Sequence, residues 1–300
     1  MTWHAATLAL IAASALPLRA QQPSFKSETR LVVLRATVQN SRGAEVTDLD
    51  QSAFTVYENG TRQPIMLFRR DDVPVSIAIL IDNSGSMKAL RARVERAALA
   101  FVQASNPLDE VCVINFADKP HLDVTLTSSL ETLTSGIARV DSIGGTALRD
   151  AIVMGESYLR ERATRDRRVL LAITDGRDNA SQSTEREIAA MSQQNETAVY
   201  GIGLFALANS SEAKDGRREL EAITHPTGGV AAYPLTLAEI DDVALDLARQ
   251  IRRQFTIAYA PTNQALDGTY RKIRVEARGI QPMTVRTRAG YVAGKASPSR

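Results

Sequence analysis

Four runs of continuous apolar residues, Val75 to Ile81, Val111 to Phe116, Val169 to Thr174 and Ala198 to Leu204, punctuate the middle of the chain. Strands that read this way are buried on both faces, as in a parallel sheet. Between and after them, apolar residues recur every three or four positions. Leu90, Val94, Ala97 and Phe101 form one stripe, Leu148, Ile152, Gly155 and Leu159 a second, and Leu237, Ile240, Ala244, Leu247 and Ile251 a third. Each stripe predicts one buried helix face. Strands alternating with helices predict an α/β fold, a doubly wound and mostly parallel sheet with helices on both sides.

On either side of this zone the period falls to two. Val32, Leu34, Ala36 and Val38 share a face, and Ala53 to Tyr57 and Ile65 to Phe68 flank Asn59-Gly60. Asn-Gly between extended runs is a strong hairpin signal, and Pro64 places the return strand near an edge. After residue 252, Phe255, Ile257 and Tyr259 alternate with polar residues, as do Ile273, Val275 and Ala277, and then Met283 and Val285. Neither flank has enough core to stand alone. The expected organisation is therefore a signal peptide over 1–20, an N-terminal β segment over 21–73, an inserted α/β domain over 74–252, a C-terminal β segment over 253–295 that packs with the first into a small β-sandwich, and a tail over 296–300.

The first apolar run ends on Asp82-x-Ser84-x-Ser86, three oxygen side chains at alternating positions before a turn at Gly85. Thr146 follows Gly144-Gly145 just before a helical stripe, and Asp175 closes the run from Val169 to Thr174. Carboxylate and hydroxyl oxygens suit hard cations such as Mg²⁺, Mn²⁺ or Ca²⁺. In an open α/β sheet, ligands bind beyond the carboxyl ends of the strands, where strand order reverses. Five helix- or turn-capping residues with no metal are the alternative for each position taken singly. That alternative does not account for their joint placement at strand ends.

Asp82, Ser84, Ser86, Thr146 and Asp175 resemble the metal-ion-dependent adhesion site (MIDAS) of von Willebrand factor type A domains, whose pattern is Asp-x-Ser-x-Ser, a Thr in a second loop and an Asp in a third. The resemblance covers roughly 74–252, and the whole chain is similar to the secreted bacterial group of von Willebrand type A-related proteins. It implies a strand order of 3-2-1-4-5-6, with His121 to Ser128 as the antiparallel edge strand, and a divalent cation, Mg²⁺ foremost. In the family, the two serines and the threonine bind the metal directly, the aspartates often act through water, and a protein partner supplies an Asp or Glu carboxylate. Asn83, Gly145, Arg177 and Asp178 flank the five and are expected on the partner-facing rim, with a turn role as the alternative for Asp178. The implied function is adhesion or protein–protein interaction, with no enzymatic activity.

Composition narrows the rivals. Lys and Arg number 36 against 34 Asp and Glu, too even a balance for a dedicated nucleic-acid binder. The first twenty residues read as a secretory signal and place the mature chain in the periplasm or outside the cell. Their n-region carries His4 but no Lys or Arg, which leaves an uncleaved anchor as the alternative. The single cysteine, Cys112, lies in an apolar run and reads as a small buried hydrophobe, with a Cys–His nucleophile pair as the alternative. A phosphate-ester hydrolase using Asp82 as nucleophile is the enzymatic rival, but position 84, where a second acid would be wanted, is serine. Gly201-Ile202-Gly203 is too short and apolar for a dinucleotide fingerprint. A scaffold with a vestigial metal site is the third reading. The charged stretch from Arg160 to Arg168 is expected to be solvated.

Overall fold

The computed structural model describes residues 30–70, 72–138, 143–194, 196–205 and 211–294. The expected signal peptide and the tail at 296–300 lie outside them. Among the described residues, no helix is long and apolar enough to cross a membrane.

Every residue of strand β5 (Val75–Asp82) is buried, because its two faces supply two different cores. Ile77, Ile79 and Ile81 pack with Val94, Ala97 and Phe101 of helix α1 (Arg91–Ala104) and with Ile240, Ala244, Leu247 and Ile251 of helix α6 (Glu239–Arg252). Ala78 and Leu80 point the other way, to Leu148, Ile152 and Leu159 of helix α3 (Leu148–Arg162). Burying each such Ile or Leu contributes roughly 1.5–3 kcal/mol. The three helical stripes read from the sequence thus become the helix faces that cover the sheet.

That sheet also contains β6 (Glu110–Phe116), β7 (Pro120–Thr127), β8 (Arg167–Thr174), β9 (Ala198–Gly203) and β10 (Ala231–Ala232), in the order β10-β9-β8-β5-β6-β7. Numbered along this unit the order is 6-5-4-1-2-3, as expected. β7 is its antiparallel edge and the other pairings are parallel. Helices α2 (Leu130–Ile137), α4 (Glu185–Gln194) and α5 (Ser211–Thr224) complete the layers.

The flanking segments build two four-stranded sheets. One contains β1 (Val32–Asn40), β4 (Ile65–Arg69), β11 (Phe255–Tyr259) and β13 (Met283–Arg286) in the order β13-β1-β11-β4; the other contains β2 (Phe54–Glu58), β3 (Thr61–Gln63), β12 (Tyr270–Ala277) and β14 (Gly290–Val292) in the order β14-β12-β2-β3. Val32, Leu34, Val56, Phe255, Ile257 and Ile273 share one core between them. Two details differ from the sequence reading. The hairpin over Asn59 and Gly60, whose φ values are +47° and +83°, returns through β3. Pro64, which has no N–H to donate, then breaks that strand, and β4 crosses to the opposite sheet to pair with β11. The C-terminal strands likewise do not form one sheet: β11 and β13 flank β1, and β12 pairs with β2.

The sandwich meets the inserted sheet at the amino end of β8. Arg167 is 6% exposed, and its Nη2 donates to Gln254 Oε1. This corrects the expectation that the stretch 160–168 is solvated throughout. Gln254 Nε2 donates to Thr37 Oγ1 (3.0 Å) and to the Tyr200 hydroxyl (2.9 Å). Beside it, Arg252 Nε donates to Asp72 Oδ2 at 2.7 Å, tying the segment that enters the insert to the one that leaves it.

Candidate metal centre

β5 and β8 are hydrogen-bonded neighbours, so their carboxyl ends bring Asp82 and Asp175 to one crevice. Beyond Asp82 the chain turns at once: Ser84 N donates to Asp82 Oδ1 at 2.8 Å, the local side-chain-to-backbone bond that Asp favours at turns. A 3₁₀ turn over 85–89 follows, and α1 begins at Arg91. The turn folds Ser86 back so that its Oγ lies 3.1 Å from Ser84 Oγ and donates to Asp175 Oδ1 at 2.8 Å. Thr174 Oγ1 donates to Asp82 Oδ2 at 2.6 Å. Asp82, Ser84, Ser86 and Asp175 therefore join in one hydrogen-bonded cluster.

Thr146 arrives from the second loop. Its N–H donates to Asn179 Oδ1 (2.8 Å), and its carbonyl accepts from Asn179 N (3.0 Å). A Cβ placed on Gly176 would sit 3.2 Å from Thr146 Oγ1, so the glycine lets the third loop close against that hydroxyl. Gly85 N donates to the Gly144 carbonyl at 3.2 Å, joining the first and second loops. Gly144 itself has φ +99°, and a Cβ there would lie 2.5 Å from Asp118 Oδ2. Asp118 also accepts from Gly145 N at 2.7 Å. Thr174, Asn179 and Asp118 were not singled out in the sequence. Only Thr174, a polar residue closing an apolar strand next to Asp175, carried a local signal.

The donor set is two carboxylates and three hydroxyls, all oxygen, which fits a hard divalent cation. Among the described residues, no three or more His, Cys, Asp or Glu side chains gather as a metal group, and neither carboxylate has an ion-pair partner. Burial pushes Asp82 up to about 6; hydrogen bonds from Thr174 and Ser84 oppose the shift and the Asp175 charge adds to it. Burial likewise raises Asp175, against the hydrogen bond from Ser86.

A buried carboxyl raised in the folded state binds its proton more tightly there than in the unfolded chain. Its contribution to stability is complete below the unfolded value of 3.8 and is lost as pH rises through about 6. In EDTA, the stability difference between wild type and Asp82→Asn is therefore expected to change by about 3 kcal/mol in the variant's favour from pH 4 to pH 7.5, at about 1.4 kcal/mol per pKa unit. Urea unfolding at several pH values checks it. Parallel pH profiles for the two proteins would contradict it.

The rim differs in part from expectation. Arg177 is exposed and lies 3.8 Å from Asp215 across an ion pair, and Gly145 is half-buried at the mouth. Asn83 and Asp178, however, face inward. Asn83 is 5% exposed and its Oδ1 accepts from Arg91. The Asp178 carboxylate is fully buried and accepts from Arg149 N (2.8 Å), Arg149 Nη2 (3.0 Å) and Ser181 Oγ (2.6 Å). Each has spent its side chain on loop structure, and the turn reading of Asp178 holds. The face left open around the cluster is formed by Gly85, Ser86 and the partly exposed Asp175.

Residues 77–177 match the family model of the von Willebrand factor type A domain. A comparison with curated protein sequences finds no match. Among solved structures, a von Willebrand factor type A protein from Catenulispora acidiphila is 12% identical with a TM-score of 0.50, covering 89% of this chain and 75% of that one. A mutant of the PilB minor pilin from Streptococcus sanguinis is 13% identical with a TM-score of 0.51, covering 62% and 63%. Proximal thread matrix protein 1 from the mussel byssus, described with a zinc-occupied MIDAS motif, is 20% identical with a TM-score of 0.50, covering 65% of this chain and 50% of that one. At these identities the likeness is one of fold. Together with the strand order, it shows the fold of a von Willebrand factor type A domain, the family whose model matches residues 77–177.

Proposed function

We propose that Asp82, Ser84, Ser86, Thr146 and Asp175 hold one divalent cation, Mg²⁺ foremost with Mn²⁺ or Ca²⁺ as alternatives, and present it to a carboxylate of a protein ligand. The observation that carries this reading is the hydrogen-bonded cluster in which the carboxylates of Asp82 and Asp175 meet the hydroxyls of Ser84, Ser86 and Thr174, with no basic side chain bonded to it among the described residues, while Thr146 Oγ1 stands against Gly176, next to Asp175. A buried Asp82 carboxylate beside the partly exposed Asp175 favours a cation that balances the pair. The aspartates balance its charge and the hydroxyls add none, so the ion retains affinity for one more anionic oxygen. Bound there, the cation supplies Lewis acidity toward an incoming carboxylate. Ser86 and Asp175 stand on the open side, from which such a group arrives. The zinc-occupied MIDAS of the mussel protein agrees with a divalent ion at this position.

The protein is thus a metal-dependent adhesion or interaction module, built as a von Willebrand unit at 74–252 inserted in a sandwich of its flanks, and secreted or periplasmic by its signal peptide. Hydrolysis with Asp82 as nucleophile is disfavoured because that carboxylate is fully buried and both its oxygens already accept hydrogen bonds. Calorimetric titration of the chelated full chain with MnCl₂ is expected to show one ion per chain. Proteins captured from the native envelope in Mg²⁺ should be released by EDTA. No saturable Mn²⁺ binding, or capture indifferent to EDTA, would overturn the reading.

A further inference from the structure

Arg91 is a buried arginine, 6% exposed, at the first position of α1. Its Nη1 donates to Asn83 Oδ1, its Nε to Glu95 Oε1 at 2.9 Å, and its Nη2 to the Ile137 carbonyl at 2.5 Å. These acceptors belong to three different elements, the loop after β5, α1 and α2. Asn83 sits between Asp82 and Ser84, and its N–H is already fixed on the Phe116 carbonyl at 2.7 Å. Ile137 is the last residue of α2, where carbonyls lack intrahelical partners and a cation is favoured. Glu95, one turn along α1, balances the guanidinium charge, so Arg91 does not present an uncompensated positive charge to the crevice.

Resting on the metal reading above, we infer that Arg91 is the positioning residue of the site. It pins the Asn83 side chain, which together with the Asn83–Phe116 bond stops the peptide between Asp82 and Ser84 from rotating, and it ties that peptide to the end of α2. Serine and aspartate oxygens a fraction of an ångström out of place lose much of their affinity for an ion that demands regular coordination. A purely structural role, capping α2, would lower stability and leave ion affinity alone.

The test is Mn²⁺ affinity of the full chain, read by EPR at a temperature well below unfolding. Arg91→Met is expected to weaken binding at least tenfold, and Arg91→Lys, whose ammonium cannot span three acceptors in a plane, by an intermediate factor. Leu133→Ala, a buried change on α2 that leaves the three acceptors in place, should lower the unfolding midpoint with affinity within twofold of wild type. Arg91→Met binding Mn²⁺ as wild type does would overturn the inference while leaving the metal reading intact. Wild type that binds no Mn²⁺ would overturn both. Should Arg91→Met not fold, Asn83→Ala removes the same contact from the other side. It carries the same expectation, and wild-type affinity in it overturns the inference equally.

Discussion

Asp82→Asn is expected to lower Mn²⁺ or Mg²⁺ affinity by more than 100-fold while leaving the metal-free protein at least as stable as wild type at pH 7.5. The two halves of this result have one cause. Asp82 supplies one of only two negative charges in the donor cluster, and losing it leaves a divalent ion half-neutralised in a buried site. Two powers of ten correspond to about 2.7 kcal/mol, modest for one charge at contact distance in a site of reduced dielectric. Without the ion, the same charge is a liability, since burial pushes this carboxyl up to about 6. The amide is nearly isosteric: its oxygen still accepts from Ser84 N, and its NH₂ meets a Thr174 hydroxyl free to turn and accept. Calorimetry gives the affinity, and urea unfolding in EDTA the stability. An Asp82→Asn variant that binds Mn²⁺ within tenfold of wild type would rule out the assigned site.

The second large effect lies far from the crevice. Gln254→Leu is expected to cost roughly 3 kcal/mol or more, because it strands a buried charge. The Arg167 guanidinium donates to Gln254 Oε1, while its Nε has no acceptor among the described residues. The same amide accounts for the Tyr200 hydroxyl and Thr37 Oγ1. Leucine fills the volume but leaves the charged donor without its acceptor. The urea midpoint of full-length protein reads the loss. A shift worth less than about 1 kcal/mol would mean that water or a neighbour replaces the amide. The double variant Arg167→Met, Gln254→Leu should recover most of the stability, since replacing both partners by apolar groups removes the desolvation penalty.

How much of this was legible in the chain depended on the physical signal each element emits. β5, β6, β8 and β9 are buried on both faces and so read as unbroken apolar runs, and α1, α3 and α6 each turn a full stripe to the core. α2, α4 and α5 were not read. α4 has one strongly buried apolar anchor, Ile188, and α5 has Leu220 and Ile223, too few to set a period against charged neighbours. The crossing of β4 to the other sheet was hidden because a proline break and a hairpin return look alike locally. The five candidate donors stand out in the sequence because each lies at the end of an apolar run or beside a glycine pair. Arg91, Asn179 and Asp118 could not, since they act through bonds between segments distant in the chain. Asn83 and Asp178 were misplaced on the rim for a related reason: adjacency in sequence to the candidate donors does not say which way a side chain points.

The clip between Asp72 and Arg252 stands where β5 begins, and Asp82 stands where it ends, an eight-residue strand or roughly 25 Å away. A tug on a guest held at the top would travel along β5 and β8, lengthwise, toward the two joined connectors. Tension in that direction loads the parallel ladders in shear, so that many bonds must fail together instead of unzipping one after another, and the joined connectors keep the base from being pried open first.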